Sequence, residues 1–162
     1  MDRASLFGEG FEGGNALYLD SSNEGGSGPT GARDDDLLLP SEGLENEISV
    51  AANNYANSLT ELKRYQEAKK VMRKTTPVAR RLGESHQIAL RARTIYALTL
   101  FEDTDATLGD VREAVEMLEE TERIARRVLG GAHPLTAGME KALRAARASI
   151  AARETPPPPD AS

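Results

Sequence analysis

Cysteine is absent from the 162 residues, which excludes a disulfide framework, a thiolate metal site and a cysteine nucleophile. Tryptophan is absent too, and aromatics make up only 4% of the chain, too few for a platform that stacks sugars or bases. Imidazole is limited to His86 and His133. A basic balance is also missing: 20 Lys+Arg stand against 26 Asp+Glu, a formal charge of −6. That balance argues against a non-specific binder of nucleic acid or of an anionic membrane. Long apolar runs do not occur. Leu37-Leu38-Leu39 falls far short of the roughly 20 residues that span a bilayer, and the N-terminus lacks the apolar core of a secretory signal. A cytoplasmic protein with neither membrane nor nucleic-acid partner is the expectation.

Composition then divides the chain into three parts. Nine of the fourteen glycines lie in residues 1–43, where no apolar periodicity survives. That region reads as an unfolded Gly-rich acidic tail, unable to bury enough surface to offset the entropy of ordering. Residues 154–162, with Pro156 to Pro159 in succession, read as a second, Pro-rich tail. Between them, 44–153 reads as a helical domain. Most of the acidity belongs to the tails: 1–43 carries nine acidic and two basic residues (−7), and 154–162 two acidic ones (−2). The helical region has 18 basic and 15 acidic residues and is therefore +3, which admits an acidic peptide as a partner.

Apolar residues at three-and-four spacing predict five antiparallel helices and no strand. Leu44, Ile48, Ala51/Ala52, Tyr55, Leu59 and Leu62 form the first inward stripe. Ala68, Val71/Met72, Thr75, Val78/Ala79 and Leu82 form the second, closed by Gly83, with Pro77 expected to kink or shorten that helix. Ser85 is placed to cap a third helix reaching Phe101, apolar on several sides and so expected to lie between neighbours. Asp105 or Thr107 would cap a long fourth helix ending at Gly130-Gly131, and Pro134 suits the first turn of a fifth.

The helical region repeats itself. Ala79-Arg-Arg-Leu-Gly-Glu-Ser-His86 returns as Arg126-Arg-Val-Leu-Gly-Gly-Ala-His133, so that Leu82-Gly83 and His86 recur 47 residues later as Leu129-Gly130 and His133. Tyr55-Ala56 matches Tyr96-Ala97 at an offset of 41, and Glu67-Ala68 matches Glu113-Ala114 at 46. The growth in offset places a five-residue insertion between Glu102 and Asp110. Ala56, Ala68, Ala97 and Ala114 are the small residues needed where helices approach closely, with Tyr55, Leu59, Tyr65 and Leu118 filling the layers.

These elements resemble the tetratricopeptide repeat of the kinesin-light-chain type. The first unit has Asn53-Asn54-Tyr55-Ala56, the turn Lys63-Arg64-Tyr65-Gln66-Glu67-Ala68 and Leu82-Gly83-Glu84-Ser85-His86; the second keeps Tyr96-Ala97, Glu113-Ala114 and Leu129-Gly130-Gly131-Ala132-His133-Pro134. The resemblance implies a short right-handed α-solenoid of two helical hairpins and a fifth capping helix. It also implies a peptide held in the concave groove by the first helix of each unit. Carried over by position, the groove residues are Asn53, Asn54 and Asn57, then Arg91, Thr94 and Leu98, then Lys141. Leu82, Gly83, His86, Leu129, Gly130, His133 and Pro134 form the junctions, the histidines packing or capping rather than binding metal.

No catalytic constellation is visible. The Gly-rich stretches do not join a strand to a helix, and Glu119–Arg123 and Glu122–Arg126 read as ion pairs on a solvated face. The chain reads as a non-enzymatic interaction module without cofactor or metal, binding a protein or peptide. The alternative is a structural protein that assembles with copies of itself through its open end faces. The Ala-rich side of the last helix (Ala142, Ala145, Ala146, Ala148, Ala151) offers one such face.

Overall fold

The computed structural model describes residues 42–155. The expectations for the Gly-rich and Pro-rich tails, including Asp34–Asp36, lie outside these residues. Five α-helices follow one another: α1 (Glu42–Glu61), α2 (Tyr65–Arg81), α3 (Gln87–Glu102), α4 (Leu108–Leu129) and α5 (Pro134–Glu154). The described residues contain no strand.

Each helix packs on its chain neighbours, and α1 also packs on α3 and α3 on α5. The third helix is thus central, as its all-round apolarity predicts. One face joins Ala56, Met72 and Ala79 through Ala89, Ala92 and Ile95; the others join Val111, Leu118, Met139 and Ala146 through Leu90, Leu98 and Leu100. Ala56, Ala68, Ala97 and Ala114 are all fully buried, which lets the helix axes approach closely.

Three local expectations are corrected. Of the two effects expected of Pro77, the shortening does not occur: α2 runs on to Arg81. Thr75 and Thr76 turn their hydroxyls back onto the carbonyls of Val71 and Met72, so their polar atoms are satisfied within the helix. The cap of α3 is His86 rather than Ser85. The largest correction concerns α1, where most of the predicted inward stripe faces outward: Leu44, Ile48, Tyr55 and Leu62 are 46%, 40%, 55% and 67% exposed, while Leu59 is buried as expected. Its buried side is instead Glu45, Ser49, Asn53, Ala56, Leu59 and Thr60.

The start of α4 follows the sequence reading more closely. Thr107 caps the helix by accepting from the Asp110 N–H, and the Asp110 carboxylate accepts from the Thr107 N–H and hydroxyl. Those bonds hold the Asp110 carboxyl below its ordinary value. The turn after α1 carries more strain, because Lys63 has φ 59° while its N–H and that of Arg64 close the helix end. A side chain there costs about 1 kcal/mol. Lys63→Gly is therefore expected to stabilise by roughly 0.5–1 kcal/mol, read as a higher thermal midpoint. A lower midpoint would mean that the lysine stem contributes packing that outweighs the strain.

Candidate functional site

The two junctions are built alike. Gly83 (φ +106°) and Gly130 (φ +88°) adopt left-handed conformations that a side chain would strain. After each, a histidine accepts a bond from the first turn of the next helix: His86 Nδ1 from the Ile88 N–H at 3.3 Å, His133 Nδ1 from the Leu135 N–H at 3.1 Å. Their backbones match as well, with φ −67° and ψ 132° at His86 against −65° and 135° at His133. Pro134 occupies the first turn of α5, where no N–H is needed. Leu82 lies at the end of α2 and Leu129 closes α4. Both histidines therefore act as helix caps. No group of three or more metal-ligating side chains converges among the described residues.

The residues expected to line a groove divide into two sets. Asn53, Thr94 and Leu98 are interior, at 2%, 1% and 0% exposure. Asn53 Nδ2 reaches the Ile88 carbonyl at 3.4 Å, tying α1 to α3, and the Thr94 hydroxyl bonds the Leu90 carbonyl at 2.8 Å. Leu98 belongs to the core shared with α4 and α5. These three side chains are enclosed by neighbouring helices rather than presented at the surface. Asn54, Asn57 and Arg91 are half-buried and Lys141 is exposed. Asn57 donates to Glu61 at 2.8 Å, and burial holds the Arg91 guanidinium below its ordinary value.

The Ala-rich side of α5 also divides. Ala142 and Ala146 are fully buried against the core, while Ala148 and Ala151 are exposed. On the polar side of α5, ion pairs bind it to α4. Arg147 meets Glu119 at 2.6 Å, and Arg126 joins Glu122 at 2.7 Å and also Glu140. The expected Glu122–Arg126 pair is present, whereas Glu119 pairs across helices with Arg147.

A cavity of about 420 Å³ opens between α2, α3 and α4, with Arg73 and Arg80 on one wall, Glu113, Glu116 and Glu120 on the other, and Arg93 and Tyr96 between them. Arg93 is 5% exposed, lies 3.8 Å from the Glu120 carboxylate, and leaves Nη1 without a hydrogen-bond partner. The Thr76 hydroxyl at its edge already bonds the Met72 carbonyl at 2.7 Å. The lining is polar and carries charge of both signs, which suits recognition of a polar group. Sequence reasoning passed over Arg93. The available signal was an arginine inside a helix already expected to be covered on several sides, where a charge must be buried.

No protein-family model, curated protein or solved structure matches this chain. No helix among the described residues is long and apolar enough to cross a membrane.

Proposed function

We propose that the chain is a small, non-enzymatic protein-interaction module of the tetratricopeptide type, a short solenoid that holds an extended peptide along α1, α3 and α5. The observation that carries this reading is the duplicated junction. Two Gly-turn-His caps of matching backbone, 47 residues apart, set α3 and α5 off in the same way. Together with α1, these are the helices that pack on one another in succession, the arrangement that leaves one side of each first helix to a ligand.

On that side the sequence supplies amides and cations: Asn54 and Asn57 on α1, Arg91 on α3 and Lys141 on α5. Carboxamides can pair with the backbone of an extended peptide, and the two cations favour acidic side chains. The net charge of +3 over 44–153 points the same way.

The test uses the immobilised full chain and a panel of extended peptides of graded acidity. Acidic peptides are expected to bind saturably and to weaken with added salt. Asn54→Ala combined with Asn57→Ala should lower affinity at least roughly tenfold while far-UV dichroism stays unchanged. Undiminished binding by the double variant would sink the reading.

A further inference from the structure

The outward stripe of α1 has a regular spacing. Leu44, Ile48, Ala51, Tyr55, Ser58 and Leu62 alternate at four and three residues, the pattern of a coiled-coil seam, and all six are exposed. The opposite side of the helix is already used. Asn53 bonds the Ile88 carbonyl, and the Thr60 and Thr99 hydroxyls meet at 3.1 Å. These contacts fix the side facing α3, about half a turn from the seam.

The order of residues along the seam identifies the partner. Reversed end for end about Asn53, the stripe complements itself: Leu44 falls opposite Leu62, Ile48 opposite Ser58, and Tyr55 opposite Ala51. Large residues thus meet small ones in two layers, and the two terminal leucines meet each other. A surface that matches itself under a two-fold rotation is what a symmetric dimer requires.

We infer that this surface is a homodimer interface, in which α1 packs antiparallel against α1 of a second copy. The 20-residue helix gives a seam about 30 Å long. Two such seams bury on the order of 1,000 Å², the lower bound for a specific interface, so the dimer is reversible. The pairing leaves the Asn54 and Asn57 side of α1 outside the central seam and does not depend on peptide binding.

Sedimentation equilibrium of the full chain tests this inference. The weight-average mass should rise from 17.5 kDa toward twice that value across the micromolar range. Ile48→Glu with Leu62→Glu should raise the dissociation constant at least roughly tenfold without loss of helicity, because both positions are exposed. Orientation is read from single-cysteine variants, in a chain with no cysteine of its own. An equimolar mixture of Ile48→Cys and Ser58→Cys should oxidise mainly to the mixed disulfide. A chain that stays monomeric at hundreds of micromolar would overturn the inference. So would a dimer indifferent to the glutamates, or a preference for like disulfides. Peptide binding is read on Ile48→Gln with Leu62→Gln, which removes the apolar seam without adding charge against an acidic peptide, and should be unchanged, so failure of either reading is distinguishable from failure of the other.

Discussion

Asp103→Ala is expected to be among the most damaging single substitutions in the domain, costing about 3–5 kcal/mol of stability. Asp103 and Lys69 form an ion pair at 2.7 Å, with side chains only 4% and 8% exposed. The same carboxylate accepts from Gln66 Nε2 at 2.9 Å and from the Asp105 N–H at 3.0 Å. It therefore pins α2 to the end of α3 and shapes the loop leading to α4. Removing the carboxylate strands a buried ammonium, and that uncompensated charge dominates the cost. Adding Lys69→Met to Asp103→Ala should recover a large part of the loss, measured by urea midpoint. If the double variant is no better than the single one, the loop bonds rather than the charge carry the effect.

This pair also sets an acid limb. Burial pushes the Asp103 carboxyl upward, but the bonds from Lys69 and Asp105 outweigh it, and the value falls below the ordinary one. A carboxyl whose folded value is depressed stabilises the fold above its unfolded value, near 4. That stabilisation is lost as the pH falls from there through the folded value. Stability should thus be flat in this respect near neutrality and decline below about pH 4. In the Asp103→Ala, Lys69→Met double variant that decline should be shallower.

Leu98→Ala is the second large effect, about 2–5 kcal/mol. Leu98 has no exposure and lies on α3, the helix that contributes to both apolar clusters. A cavity there loosens α3 against α4 and α5 while α1 and α2 still depend on α3. One cooperative transition should shift to lower urea with its slope unchanged. A cost under 1 kcal/mol would mean that Leu98 is covered by something readily displaced, and would restore it as a ligand contact.

How much of this was legible in sequence differs by element. The ends of α2, α4 and α5 were readable because Gly83, Gly130 and Pro134 act through their own backbone restrictions, and Thr107 through a side chain three residues from its partner. The buried alanines were readable from the repeat. The phase of α1 was not. It carries two stripes, one of large apolar residues and one of Glu45, Ser49, Asn53, Ala56 and Thr60, and counting hydrophobes favours the first. The structure buries the second, because small residues admit close neighbours and three of the polar ones find partners across the interface: Arg81 for Glu45, Ile88 for the Asn53 Nδ2 and Thr99 for Thr60, while Ser49 Oγ and Asn53 Oδ1 are buried without one. Asn53, Thr94 and Leu98 left the groove for the same reason, since spacing places a residue on a face without saying what covers that face.

Five helices, their order, the repeated junctions and the absence of cysteine chemistry follow from the residues alone. All of these are set by local backbone preference or by composition. Only the tertiary structure decided which face of α1 is covered, that Arg93 is buried at a cavity, and that Lys69 and Asp103, 34 residues apart, share a buried site. Those outcomes depend on which surfaces meet, and a periodic pattern records only that a helix has a face to offer.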